Sequence, residues 1–378
     1  MREFNLNTKN LDNLLVHLTE LGAPGCSMIV FKDHEIIYRG KAGYNDINAK
    51  TPISYDNIVN IYSCSKVITC VAMLKLIGEG KVLFTDPLYK YIPEFKNVKV
   101  RHVKTNREID LRAPKRHITI LDLFTMSAGL DYDLNSAPIR EVREKNNGAC
   151  PTVETMTALA KKPLEFDPGE HYRYSLCHDM LGAVIEIVSG MSFGEYLKKN
   201  IFDPLEMKDT SFVLEDDKKD RLMCQYRYNA ELGKAEMIDK SCPYKLGEGY
   251  ESGGAGILST LEDYATFIDA LACGGVGRTG ARIISEEMLE LMRENQFRDP
   301  VRTAEFARPG YGYGLGVRTH FDRGLSLRPC PVGEFGWGGA AGSQMIIDPV
   351  NHLSMFYLQH MLGTPYAPAD RIVNAIYS

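Results

Sequence analysis

The chain has 378 residues, of which 44% are hydrophobic and 25% charged, with a formal net charge of −5. That is the composition of a globular protein with room for one large domain with an insertion, or two lobes, around a sizeable core. The negative balance excludes a general attraction for nucleic acid or an anionic membrane, and no apolar run reaches membrane-spanning length.

The opening Met1-Arg2-Glu3-Phe4-Asn5-Leu6-Asn7 lacks the apolar stretch of a secretory signal, so a cytoplasmic location is expected. Leu11, Leu14, Leu15, Leu18 and Leu21 recur at helical spacing and predict an amphipathic helix that stops at Gly22 and Pro24. Residues 26–31 and 35–39 read as a hairpin, after which strand signals pause over 40–56. Then comes Asn60-Ile61-Tyr62-Ser63-Cys64-Ser65-Lys66, followed by an apolar run over 67–77 that predicts a helix buried on nearly all sides and ended by Gly78-Glu79-Gly80.

Between Lys96 and Arg116 there are eight Lys and Arg residues, interrupted by Glu108 and Asp110. Alternation around Thr105-Asn106 predicts a hairpin with a solvated edge. Residues 120–126, 153–161, 180–189 and 193–202 read as helices, as do 258–272 and 283–292. Strands return at 311–318, 342–349 and 354–359, and a helix over 368–377 closes the chain. Strands at both ends and helices between them predict an α+β fold. One catalytic unit spans 1–378, with a sheet lobe from 1–62 and 241–378 and a mainly helical lobe from 63–240. Nine cysteines, odd in number and without a Cys-x-x-Cys pair, are expected to be reduced and mostly buried; no metal site is expected.

Ser63 and Lys66 stand three apart at a helix start, so one turn makes their side chains neighbours. A lysine can take the proton of a serine nucleophile if it is neutral, which burial or a nearby cation would favour. The same spacing also fits a serine that merely caps a core helix. Gly190-Met191-Ser192-Phe193-Gly194 matches the hydrolase nucleophile elbow, but a helix precedes it where that motif needs a strand. Ser192 and Glu195 instead make a capping box. Arg278-Thr279-Gly280 lies in a glycine-rich turn and reads as surface loop. Over 167–176, Pro168-Gly169 forces a turn that presents Tyr172, Arg173 and Tyr174 before a helix. A tyrosine there acts as an acid or base if a lysine lies close, and otherwise anchors the loop. Over 333–343, glycines surround Trp337, the one tryptophan in the chain, allowing either close approach to the Ser63 N–H or a twisted strand packed on a helix.

The order Ser63-Cys64-Ser65-Lys66, Tyr174-Ser175-Leu176, Trp337-Gly338-Gly339 resembles the serine β-lactamase and penicillin-binding-protein superfamily, and within it the class C-like family VIII carboxylesterases. The stretches 80–88, 91–95, 118–130 and 252–260 are similar to linking segments of that family. The resemblance implies a β-lactamase/transpeptidase-like fold, an antiparallel sheet flanked by terminal helices, with an inserted helical lobe. It implies that Ser63 is acylated, that Lys66 with Tyr174 is its base, and that the N–H groups of Ser63 and Ala340 hold the oxyanion. Trp337, Gly338, Gly339 and Leu176 would bind substrate, with no metal or cofactor. Two departures stand out. Leu176 replaces the usual Asn of the Tyr-x-Asn box, and Trp337 replaces the Lys or His that opens the third box. Both remove polar contacts to an anionic amide, which shifts the expected substrate from a lactam or D-amino-acyl peptide to a small ester. β-Lactamase or peptidase activity, or a non-catalytic acylatable binding protein, are the competing expectations; the oligomeric state is left open.

Overall fold

The computed structural model describes residues 6–103 and 109–378. An eight-stranded antiparallel sheet is built from the two ends of the chain. Helix α1 (Thr8–Glu20) leads into β1 (Gly25–Lys32), β2 (Glu35–Asp46) and the short β3 (Thr51–Pro52). The chain then leaves the sheet for helix α2 (Ser65–Gly78), later α3 (Cys177–Ser189), and returns through α4 (Leu261–Ala272). Strands β4 (Tyr311–Tyr313), β5 (Arg318–His320), β6 (Phe335–Gly336), β7 (Gln344–Asp348) and β8 (Leu353–Gln359) complete the sheet, and α5 (Pro368–Ile376) ends the chain. The spatial order is β4-β5-β6-β7-β8-β1-β2-β3, so β1 and β8, near opposite ends of the sequence, pair at the centre.

Both faces of that centre are covered. Side chains alternate across a strand, and β1 sends Cys26, Met28 and Val30 to one face, where they pack with Leu11, Leu15, Leu18, Ile372, Val373 and Ile376 of the terminal helices. Ile29 and Phe31 point the other way, into the large core that also holds α2, α3 and α4. Phe356 of β8 pairs with Ile29 and stacks 4.5 Å from Tyr264 of α4. A strand covered on both sides is apolar throughout, which is why β1 reads as a continuous hydrophobic run.

The α+β class and the sheet assembled from both termini match the expectation, and several boundaries do not. Residues 40–56 are not a pause: β2 continues to Asp46 and β3 pairs with it through Tyr44 and Pro52. Their exposed and half-exposed positions hide the strand period. Leu258–Ser259 is a short strand against Val59–Asn60, and α4 begins after it, with Thr260 as its cap. The segment 311–318 is a hairpin of two strands, β4 and β5, rather than one strand. The region 283–292 turns helical at Glu286–Arg293, capped by Ser285. A helix at Ala137–Lys145 and the hairpin Gln225–Asn229 with Lys234–Ile238 give little sequence signal and were not expected. Val100–Val103 pairs with Ile109–Arg112 as expected, though the turn at Thr105-Asn106 lies outside the described residues. Ser192 accepts from Glu195 N in a complete capping box, and all nine cysteines are free, seven of them buried.

Three histidines, His178, His320 and His360, are buried deep in this fold. Burial, reinforced by the charge of Lys66 and opposed by the Phe124 carbonyl, pulls His178 down to about 3; burial pulls His360 down to about 4. The unfolded chain takes up these protons near the ordinary histidine value of about 6.5, whereas the folded chain does not, so stability is present above that value and falls as the pH drops below it. His178 and His360 should each contribute a loss of about 1.4 kcal/mol per pH unit between pH 6.5 and 4. Urea unfolding at stepped pH should show this decline in the wild type and a flatter one in a His178→Gln/His360→Gln variant; parallel slopes would refute it.

Candidate active site

Ser63 lies in one tight helical turn, Tyr62–Cys64, immediately before α2, and is half-buried between fully buried neighbours. Tyr62 is held at φ 49°, a left-handed conformation that is costly for a residue with a side chain, and its hydroxyl bonds Gln225 Oε1 in the core. The chain is clamped on both sides: Ile61 N donates to Ile257 O at 3.1 Å, and Tyr264 Oη donates to Cys64 O at 2.9 Å. Helix α2 has no side-chain cap, and Ser65 instead accepts from Ile257 N at 3.2 Å, so neither serine serves as a helix cap. The strained turn, not capping, sets the direction of Ser63.

One turn on, Lys66 is fully buried. Its Nζ donates to Gly254 O at 2.6 Å, stands 3.5 Å from Ser63 Oγ, and lies 4.5 Å and 5.4 Å from the ring centres of Tyr174 and Tyr132. Burial works to strip the proton from Lys66, but Tyr132, Tyr174 and Asp179 together outweigh it, and the net direction is upward from the usual lysine value. The neutral lysine expected from the apolar run is therefore not what these surroundings favour. The apolar run supplies desolvation, while polar groups distant in sequence supply the stronger opposing effect.

Tyr174 reaches the same point from the other side. Its loop is pinned to the segment 126–131, where Arg173 N donates to Met126 O at 2.9 Å and Leu176 N to Asp131 O at 3.1 Å. That segment is itself fixed by the Thr119/Asp122 capping box and by Arg116, which grips both Asp122 oxygens at 2.6 and 2.7 Å. The Tyr174 hydroxyl lies 2.7 Å from Ser63 Oγ, nearer than Lys66, and Trp337 Nε1 donates to it at 3.4 Å. Tyr132, Tyr174 and Trp337 stack in a row, with centres 5.7 and 5.9 Å apart and planes within 15° of parallel. Tyr313 packs edge-on against Trp337 at 5.4 Å.

The glycine-rich turn after Trp337 closes the site. Gly338 bridges Gln344, and Gly339 N donates to Ser343 O at 2.9 Å. A Cβ at residue 339 would sit 2.7 Å from Ile61 O and 3.5 Å from Cys64 Sγ, so only glycine lets this turn, which carries exposed Ala340 at its tip, seat against the residues flanking Ser63. Leu176 is brought near but not to the surface: it is 1% exposed and packs in the core at the start of α3.

Sequence reasoning assigned Asp179 no role and placed Ser252 and Gly254 only within the family-like segment 252–260; Gly254 and Asp179 lie beside Lys66. Asp179 Oδ1 accepts from Tyr250 Oη at 2.9 Å and Ser252 Oγ at 2.5 Å. The available signal was a single acid inside the otherwise apolar start of α3. Among the described residues, a metal-capable cluster elsewhere joins His34, Asp269 and Cys273, their ligand atoms within 4.8 Å of one another; His34 Nδ1 already bonds Asp269 Oδ2 at 2.7 Å, and none of the three bonds Ser63, Lys66 or Tyr174.

The sequence model of the Beta-lactamase family matches residues 11–377. The chain belongs to the beta-lactamase family. This places it among serine β-lactamase-fold hydrolases with esterase and carboxypeptidase-like members. It is similar to Esterase EstB of Burkholderia gladioli, 27% identical over 363 residues that cover 90% of this chain and 87% of that one. A putative D-alanyl-D-alanine carboxypeptidase of Escherichia coli K12 is 24% identical over 412 residues, covering 99% of this chain and 87% of the other. The solved structure of EstCE1, described as a hydrolase with promiscuous acyltransferase activity, shares the fold with a TM-score of 0.79 at 23% identity, covering 98% of each chain.

The seating of the beta-lactamase-family turn at Gly339 is open to a direct check. Gly339→Ala should push the turn off Ile61 and slow acylation of Ser63 by a reactive ester by at least about tenfold, with little change in thermal midpoint. An unchanged acylation rate would show that the turn is not part of the reacting geometry.

Proposed function

We propose that the protein hydrolyses small carboxylic esters through an acyl-enzyme on Ser63. The observation that carries this reading is the 2.7 Å contact between the Tyr174 hydroxyl and Ser63 Oγ, made beside buried Lys66, whose surroundings favour its charged form. A neighbouring cation favours phenolate, and the Trp337 N–H adds a donor to the same oxygen. Tyr174 phenolate accepts the Ser63 proton as Oγ attacks the ester carbonyl carbon. The carbonyl π pair moves onto oxygen, where the N–H groups of Ser63 and Ala340 receive the oxyanion. Collapse breaks the bond to the leaving alkoxide, which takes the proton from Tyr174. Water then repeats the sequence on the acyl-enzyme, with Tyr174 again as base, and releases the acid.

The choice of ester over amide rests on what surrounds the leaving group. Trp337 presents an aromatic face backed edge-on by the fully buried Tyr313, and Leu176 is turned into the core, so the two positions where the family usually offers a lysine and an amide are apolar here. A site built without those partners discriminates against substrates that need them. The likeness to Esterase EstB supports the same reading, and the promiscuous acyltransferase activity of EstCE1 fits a variant in which an alcohol replaces water in the second step.

Incubation with a p-nitrophenyl ester should raise the intact mass by one acyl group in the wild type and leave Ser63→Ala unchanged; labelling that persists in the variant would remove Ser63 from its role. Across p-nitrophenyl esters of graded chain length and a chromogenic cephalosporin, kcat/KM should favour the best ester by at least about a hundredfold. A preference for the cephalosporin would return the substrate to the lactams.

A further inference from the structure

Asp179 is the third residue of α3 and is fully buried. Its Oδ1 is held by Tyr250 and Ser252, while Oδ2 has no hydrogen-bond partner. That oxygen faces Gly254. A Cβ built at residue 254 would lie 2.4 Å from Asp179 Oδ2 and 3.3 Å from Lys66 Nζ, so the carboxylate and the lysine nitrogen flank the same missing methyl group. Gly254 also supplies the carbonyl that Nζ bonds at 2.6 Å. The short run from Tyr250 to Gly254 therefore sets the carboxylate and the lysine nitrogen on two sides of Gly254, beyond direct ion-pair contact, with no side chain between them.

A carboxylate that only anchored the Tyr250–Ser252 segment would need one oxygen. Leaving the other buried and unbonded is unfavourable unless a positive charge lies nearby, and Lys66 is the cation on that side. We propose that Asp179 is a positioning residue that holds Lys66 as an ammonium, so that Lys66 acts on Tyr174 through its charge and not as a proton acceptor. The catalytic consequence rests on the ester-hydrolase reading above; the ionisation of Lys66 does not. The groups facing Lys66 are Ser63, Cys64 and Cys70 on its own helix segment, Tyr132 and Tyr174 from the loops, and His178 and Asp179 from α3. Burial keeps the thiols and Tyr132 protonated and His178 neutral, so the negative groups that oppose the Lys66 charge are Tyr174, in the phenolate form of the proposed mechanism, and Asp179.

The test uses ¹⁵N-lysine-labelled protein, with the Lys66 Nζ signal assigned by its loss in Lys66→Met. In the wild type this nitrogen should titrate above the ordinary lysine value. Removing the adjacent negative charge lowers a lysine pKa, so in Asp179→Asn, which keeps the volume and an acceptor for Tyr250 and Ser252, it should titrate about two units lower. Asp179→Glu should restore the high titration. With a p-nitrophenyl ester, Asp179→Asn should bring the alkaline limb of its kcat–pH profile down in step with the Lys66 titration, with KM within about threefold. Equal Lys66 titrations in wild type and Asp179→Asn would overturn the proposal, as would a wild-type Lys66 that titrates below its ordinary value, a result that needs no variant to fold. A wild type that does not acylate would instead sink the ester-hydrolase reading, with the titration still deciding the part played by Asp179.

Discussion

A lysine with no solvent exposure is the constraint around which this structure closes. Moving an ammonium into a packed interior is costly unless its donors are met and its charge is opposed, and Lys66 sits on a helix whose other buried positions offer it almost nothing. Its needs are met from far along the chain: the Gly254 carbonyl, the rings of Tyr132 and Tyr174, and the Asp179 carboxylate side. These groups come from the insertion and from the segment that leads back toward the sheet. None of them faces Lys66 until α2, α3 and the stretch 250–254 have packed together. The charge is thus satisfied only in the assembled molecule, which ties the geometry of the site to completion of the fold.

The nucleophile is placed by a second, smaller cost. Tyr62 accepts an unfavourable backbone conformation, and the surroundings over-determine it: its hydroxyl is bonded to Gln225, its ring meets Tyr244 edge-on at 5.8 Å, and the residues on either side are held by Ile257 and Tyr264. Strain that persists because several independent contacts enforce it is a common way to present one side chain out of an otherwise buried turn. Here it exposes Ser63 while Tyr62, Cys64, Ser65 and Lys66 stay inside.

How much of this could be read from the residues follows from the range of each interaction. The Ser63 and Lys66 pairing is local, fixed by one helical turn, and was legible. So were α1, the β1–β2 hairpin and the Ser192 capping box, each set by a short period or a pair of neighbouring side chains. Tyr174 was joined to the site only through the resemblance of its motif, and the Trp337 segment had two open readings, because nothing in the chain states that residues separated by 111 and 163 positions meet. Asp179 and Gly254 were given no role. An acid at a helix start ordinarily reads as a favourable first-turn charge, and a glycine before a strand as a turn; their meaning appears when a Cβ at 254 is seen to block the gap beside Lys66. The upward pull on Lys66 was not legible for the same reason, since hydropathy reports desolvation and is silent about the distant groups that oppose it.

The same geometry underlies the proposal that the substrate is an ester. Trp337 does two things from one position: its ring stacks on Tyr174, and its N–H donates to the Tyr174 oxygen. A lysine there would bring a second cation close to Lys66, which already carries the charge that favours phenolate, and repulsion between the two would weaken the first in a low-dielectric site. An indole supplies a donor without that penalty, and with it a flat apolar surface for the acyl or alcohol part of a substrate. What it gives up is the long-range attraction for a substrate carboxylate. An alkoxide leaves with less protonation help than an amine, so under the proposed mechanism, with Tyr174 as the one proton carrier, an ester loses little, whereas an anionic amide loses both its anchor and the second polar group that Leu176 has replaced.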